Sequence, residues 1–414
     1  WQASVRVVED FLKTDKKLDS VLERHTKHLE SSTVRRTQYL SYGVVRDLGY
    51  LLSLLRSTVK KLPKKRLQAI MLVSLFEWLE ADVEKRPQVV HHSVERSKEL
   101  LSKPEARFAN AILRKMSELE IKIPEGIESV SDLSRFYSHP EWLVSKWIGQ
   151  WGTSSTKAGL EWNQSTPAVY VFSREPESEV PSDWVTTEWD GFYNIQNANW
   201  ETIRTWMAAG KAYIQDPATR LGSALLEDDT VESVLDLCAA PGGKSLQLLQ
   251  RISPSNGLLV SVDVPGSRFD RLKENLGRYQ KPGVEKVQVV ADVLELQSSD
   301  LPRATYAVVY LDVPCSNTGV FQRRPDVKWR LTEASIAELT VLQMALLKRA
   351  AEFVDAGGAL IYSTCSIDSD ENRDLVDRFI DEAAGAFSLE RESISLPWES
   401  RHDGVGVFLL RRIK

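Results

Sequence analysis

Between residues 231 and 363 five short apolar runs, 231–237, 258–263, 287–292, 306–312 and 359–363, alternate with helical stretches. Three of the runs end on an aspartate: Asp263, Asp292 and Asp312. The helical stretches are 245–252, 269–279, 332–354 and 370–382. Strand–helix alternation of this kind predicts an open, doubly wound α/β sheet with ligands at the carboxyl ends of its strands. The first run leads into Leu235-Asp236-Leu237-Cys238-Ala239-Ala240-Pro241-Gly242-Gly243-Lys244. A glycine pair after a first strand lets backbone approach a ligand closely, and an acid at the tip of the second strand suits a ribose diol. The loop lacks the GxxxxGK[ST] spacing of a phosphate-gripping loop. Three acids around one rim fit an adenosine-bearing cofactor with an amino-acid tail, S-adenosylmethionine, better than a pyrophosphate.

The chain has 414 residues, enough for two or three domains. At 42% apolar and 27% charged it reads as soluble and globular. No run approaches the roughly 18 apolar residues of a membrane span. The first twenty residues are charged throughout, so no signal peptide is read either. Three scattered cysteines make no disulfide framework, and metal-ligand spacings are absent, which points to a reducing cytoplasm and no metal.

The net charge of −5 hides an asymmetry. Residues 1–125 carry 24 Lys/Arg against 17 Asp/Glu, and the remainder 29 against 41. The basic part includes Lys60, Lys61, Lys64, Lys65 and Arg66, which suit either phosphate contacts or a solvated helix end. Val5, Val8 and Phe11 with Leu12, and Leu67, Ile70 with Met71, Leu75 and Leu79, recur at helical spacing. Ser31-Ser32-Thr33, Pro63 and Pro104 mark helix boundaries. On the helix after Pro104, Phe108, Ala111 and Ile112 are expected to face the core and Arg107 and Arg114 to point away. Residues 1–125 therefore read as an all-α basic module. Residues 126–220 read as a small α+β connecting subdomain, with strands near 168–172 and 211–217. Its tryptophans Trp142, Trp147, Trp151 and Trp162 read as packing rather than base-stacking groups. Residues 221–414 form the α/β part.

Two of the three cysteines close strands: Cys315 in Asp312-Val313-Pro314-Cys315-Ser316 and Cys365 in Ser363-Thr364-Cys365-Ser366. A lone cysteine is usually an inert buried residue. Two at neighbouring strand tips beside an aspartate have the parts for methylating a pyrimidine. Cytosine C5 is a poor nucleophile until a thiolate adds at C6. An acid at N3 steadies the developing charge, and a base must then remove the C5 proton.

The segments 235–245, 311–329 and 362–372 closely resemble the NOL1/NOP2/Sun family of RNA 5-methylcytosine methyltransferases. The match rests on Asp312-Val313-Pro314-Cys315-Ser316-Asn317-Thr318-Gly319-Val320, on Arg324-Pro325-Asp326-Val327-Lys328-Trp329, and on Ser363-Thr364-Cys365-Ser366 with Glu371-Asn372. Asn110-Ala111-Ile112-Leu113-Arg114 looks like the NusB-type RNA-binding domain that fronts the bacterial Sun/Fmu branch. The resemblance implies a NusB-like helical domain at 1–125, a connecting RNA-binding subdomain at 126–220, and a Rossmann-like methyltransferase domain at 221–414. It implies action on a cytosine in small-subunit ribosomal RNA; oligomeric state is silent in the sequence, with a monomer as the default. Cys365 is then the nucleophile, Cys315 assists product release, and Asp312 contacts the cytosine and the cofactor's methionyl end. Cys238, Ala239, Ala240, Pro241, Gly242, Gly243 and Lys244 become the cofactor loop, with Asp263 on the ribose and Asp292 near the adenine. Two departures stand out. Tyr170-Val171-Phe172-Ser173 replaces the family's Arg-Val-Asn, and Asp403-Gly404-Val405-Gly406-Val407-Phe408 lacks paired aromatics after Asp-Gly. Transfer RNA as substrate, and a non-catalytic RNA-binding assembly factor, are the alternative readings.

Overall fold

In the computed structural model, which describes residues 1–117, 126–226 and 230–413, the chain forms two compact units. One comprises Trp1–Thr166 and Phe321–Arg330, the other Pro167–Val320 and Leu331–Lys414. The stretch 126–220 is thus divided, its first helices belonging to one unit and its strands to the other.

The first unit is helical. Its centre is the helix Lys65–Glu80, which buries Leu67, Ile70, Met71, Leu72, Val73 and Leu75 and so is apolar almost all round. A helix of that kind belongs inside a bundle. Val5, Val8 and Phe11 of Gln2–Phe11 pack into the same core, as their spacing predicts. Lys103–Ser117 differs from expectation. Ala109, Ile112 and Leu113 are buried, whereas Phe108 is 44% exposed and Ala111 lies in solvent. The buried stripe is turned by about one position, so that small Ala109 rather than Phe108 meets the packed neighbours. Trp147, on Glu141–Gln164, is fully buried against His139, Trp151 and Phe321, a packing role.

The ten residues Phe321–Arg330 complete this unit. The helix Ser31–Arg46 leaves its last carbonyls without intrahelical donors, as every helix end does. Trp329 Nε1 donates to the Val45 carbonyl at 2.8 Å and Lys328 Nζ to the Arg46 carbonyl at 2.9 Å. A cation there also suits the negative end of the helix dipole. Asp326 accepts from the Leu18 backbone N–H at 3.2 Å, at the start of Leu18–Thr26.

The second unit contains two sheets. Strands β1 (Tyr170–Ser173), β2 (Val185–Thr186), β3 (Phe192–Asn194) and β4 (Ala212–Ile214) form an antiparallel sheet ordered β2-β3-β1-β4. The larger sheet takes β5 (Ser233–Leu237), β6 (Gly257–Asp263), β7 (Val284–Val290), β8 (Tyr306–Asp312), β9 (Val354–Thr364), β10 (Phe387–Ser395) and β11 (Val405–Arg412). Its order is β10-β11-β9-β8-β5-β6-β7, parallel from β9 to β7 and antiparallel at β10 and β11. The five apolar runs become the five parallel strands; β10 and β11 are additions that the alternating pattern does not announce. Helices cover both faces, and side chains alternate between them. Val309 and Leu311 enter one core with Leu347 and Phe379, while Val308 and Tyr310 enter the other with Leu248 and Leu272. The chain leaves β5 for β6 on one side and returns to β8 on the other, a topological switch point that opens a crevice at the strands' carboxyl ends.

Candidate active site

Sheet register sets the residues of that crevice in one row. Leu237 pairs with Val262 and with Leu311, and Asp312 pairs with Ser363. Cys238, Asp263, Asp312 and Ser363 therefore stand at the same level of four neighbouring strands, with Asp292 two residues beyond the end of β7. Asp292 is exposed and accepts from the Leu294 N–H at 2.9 Å.

The loop from Cys238 to Lys244 is built as a cradle of backbone. Cys238 turns the chain at φ +58°, and Gly242 at φ +101° starts the helix Gly243–Arg251. A side chain at Gly242 would be strained by that φ. Ala239, Ala240, Pro241 and Gly243 add nothing larger than a ring or methyl. Asp263 accepts from the Ala240 N–H at 2.8 Å and from its neighbour Val264 at 2.7 Å, which ties the second strand tip to the loop. Asn275 Nδ2 holds the Pro241 carbonyl at 2.9 Å, and Gln215 Nε2 holds that of Gly243 at 2.8 Å. Beneath the loop, buried Asp236 accepts from Ser245 Oγ, and burial pushes its carboxyl up to about 7. Burial and the surrounding aspartates push the Cys238 thiol upward.

Lys244 leaves the loop and forms an ion pair with Asp312, while donating to Ser363 Oγ at 3.3 Å. Burial alone would lower its pKa; the Asp312 carboxylate more than offsets this and holds it above the usual lysine value. The sequence reading placed Lys244 only in the cofactor loop. Its pairing with a residue 68 positions away is visible only in the fold.

The two cysteines meet. Cys315 Sγ and Cys365 Sγ lie 3.1 Å apart, Cys315 buried and Cys365 half-buried. Contact with the Cys365 thiol, and burial, push the Cys315 thiol well up. A lattice of buried bonds fixes both loops. Glu371 accepts from the Ser316 N–H at 2.8 Å and from Gln343 Nε2 at 2.9 Å. Asn372 accepts from Thr364 Oγ1 at 2.7 Å and donates to the Ser366 and Asp368 carbonyls. The Gly319 N–H donates to the Cys365 carbonyl at 3.0 Å, and the Gly404 N–H to the Gly319 carbonyl at 2.8 Å. A Cβ on Gly319 would stand 2.2 Å from the Gly404 oxygen, and one on Gly406 2.1 Å from Asn372 Oδ1. The altered C-terminal motif thus keeps the glycines that this contact requires.

With the crevice in view, comparison with known proteins is decisive. Residues 223–400 match the family described as 16S rRNA methyltransferase RsmB/F, and residues 2–118 match the NusB family. The chain thus carries a NusB-type segment followed by a segment of the RsmB/F methyltransferase type. The ribosomal RNA small subunit methyltransferase B of Erwinia tasmaniensis is 25% identical over 415 residues, covering 95% of this chain and 92% of that one. The probable ribosomal RNA small subunit methyltransferase B of Bacillus subtilis is 26% identical over 357 residues, covering 82% and 78%. The crystal structure of PH0851 superposes with a TM-score of 0.78 at 22% identity, covering 99% and 98%, a likeness of fold. The RsmB/F domain holds every cysteine and every rim aspartate named above. No helix of the described residues is long and apolar enough to cross a membrane.

Proposed function

We propose that this chain transfers a methyl group from S-adenosylmethionine to C5 of a cytosine in small-subunit ribosomal RNA. One observation carries the reading: two thiols 3.1 Å apart at the tips of β8 and β9, level with Asp312 and its ion pair to Lys244. The backbone cradle from Cys238 to Lys244, with Asp263 and Asp292 at successive tips, fits an adenosine cofactor whose ribose diol meets Asp263. When bound, that cofactor would supply an electrophilic methyl group from its sulfonium, the S–CH3 bond breaking to leave a neutral thioether. The target base is unstacked from its strand to reach the crevice. The Cys365 thiolate adds at C6, and the C5=C6 electron pair moves to C5, which forms the new carbon–carbon bond. Asp312 faces the cytosine's N3 side and Lys244 holds its carboxylate in place. Loss of the C5 proton to a base restores the double bond and expels the Cys365 thiolate, with Cys315 assisting release.

Relatives named for small-subunit ribosomal RNA methylation support the substrate class. The test is incubation with unmodified small-subunit ribosomal RNA or transfer RNA, followed by digestion and mass spectrometry for 5-methylcytidine. Product in ribosomal RNA is expected, absent with Cys365→Ala; Cys315→Ala accumulates a covalent protein–RNA adduct. An active Cys365→Ala beside a dead Cys315→Ala reverses the two roles. Product in transfer RNA alone moves the substrate, and absence of both product and cofactor binding by calorimetry favours a scaffold.

A further inference from the structure

Beside the two thiols stands a residue that the reaction as written does not use. Asn317 follows Cys315 by two positions and turns the chain at φ +62°, in the left-handed region. That turn folds its side chain back over both cysteines. Its Nδ2 donates to the Cys315 carbonyl at 2.7 Å, and its Oδ1 accepts from the Cys365 thiol at 3.3 Å. One planar amide is therefore fastened at one end to the backbone of the first cysteine and at the other to the side chain of the second.

Asparagine tolerates left-handed backbone better than most residues, so the conformation by itself accounts for finding it there. The two hydrogen bonds need more than conformation. Glycine would take the same φ without strain and make neither bond. The surrounding backbone is also strapped in place, through the Gly319 N–H on the Cys365 carbonyl and the Val320 N–H on the Asn317 carbonyl at 3.1 Å. With both main chains held, the free variable is the Cys365 χ1 torsion, which decides whether the sulfur points at an incoming base or swings away. The resting Cys365 thiol donates its one proton to Asn317 Oδ1, so the amide sets the sulfur's rotamer before that proton is lost and the thiolate attacks.

We propose that Asn317 is a positioning residue that fixes the Cys365 sulfur relative to Cys315, so that attack at C6 and product release are served by one pre-set pair. The proposal rests on the methyl-transfer reading above. It acts through Cys365 and needs no contact with RNA. Loss of the amide frees the thiol's rotamer, and a misplaced nucleophile costs on the order of ten- to a hundredfold in rate.

The experiment compares wild type, Asn317→Gly and Cys365→Ala on the same ribosomal RNA fragment. It reads kcat and KM for 5-methylcytidine formation, the rate of covalent trapping on RNA carrying 5-fluorocytosine, and the thermal melt. Asn317→Gly is expected to lower kcat and the trapping rate about tenfold or more. KM for RNA and the melting temperature should stay at wild-type values. Wild-type kcat and trapping in Asn317→Gly overturn the proposal, because the backbone turn alone then suffices. If the glycine variant melts lower, Asn317→Asp is read instead. It keeps an acceptor for the thiol but loses the donor to the Cys315 carbonyl, so an intermediate kcat supports the role and an unchanged kcat sinks it. A fully active Cys365→Ala would instead remove the reading on which the proposal stands, an outcome separate from either.

Discussion

Two motif lysines of this chain have opposite surroundings. Lys244, half-buried at the catalytic rim, touches the Asp312 carboxylate and is held above the usual lysine pKa. Lys328, buried in the helical unit, has the Arg46 carbonyl at 2.9 Å instead. Burial lowers it to about 7, with Asp47 opposing the fall and Arg46 adding to it. Burial raises Asp47 in turn, to about 6. A lysine against a carboxylate keeps its charge; one against a carbonyl in a dry interior loses part of it. The sequence shows both as lysines in recognisable motifs and does not separate the two.

The contrast is most exposed to failure at Lys244. Lys244→Met should lower methyl transfer by about 10²- to 10³-fold, the range for removing one pre-set electrostatic partner, and leave the melting curve nearly in place. A large fall in melting temperature with modest loss of rate would mean that Lys244 is architectural too. Lys328→Met should do the reverse. It leaves the Arg46 carbonyl only the longer bond from Gln164 Nε2 at 3.4 Å, costs about 1 kcal/mol of stability, and leaves the rate per folded molecule close to wild type.

A pH series sharpens the same comparison. An unfolded lysine keeps its proton to about 10.4, whereas folded Lys328 releases it near 7. Between those values the unfolded chain binds more protons, so stability rises with pH. Thermal melts from pH 7 to 10 should show that rise in wild type and lose part of it in Lys328→Met; identical slopes would refute the assignment. The smallest effect is expected at Asp236, whose folded pKa of about 7 exceeds its unfolded value. Its folded form binds the extra proton from about pH 4 to 7, and the stability this gives is lost as pH rises through that window. Above pH 7, Asp236→Asn should therefore melt higher by about a degree or two, and a lower melt would show that the carboxylate is needed charged.

Local patterns made the five parallel strands and the strand-tip acids readable, because apolar runs and their polar ends are properties of a few adjacent residues. What stayed hidden depends on residues far apart. The Lys244–Asp312 pair, the Gly319–Gly404 contact and the placement of Phe321–Arg330 each join positions that only the fold brings together. Strand β10 escaped because Phe387–Ser395 interleaves polar and charged residues and has no apolar run. Phe108 misled for a different reason: a large apolar side chain outweighs a neighbouring alanine in any periodicity, yet close helix packing prefers the alanine.

The excursion of Phe321–Arg330 has a consequence for how the protein is made. During synthesis the helices up to Gln164 emerge about 150 residues before the segment that caps Ser31–Arg46. At about 5–20 residues per second this is a wait of roughly ten to thirty seconds. Throughout it, the Val45 and Arg46 carbonyls lack Trp329 and Lys328. The helical unit, though it precedes the sheet unit in the chain, is therefore finished only after translation has passed the Cys315 loop.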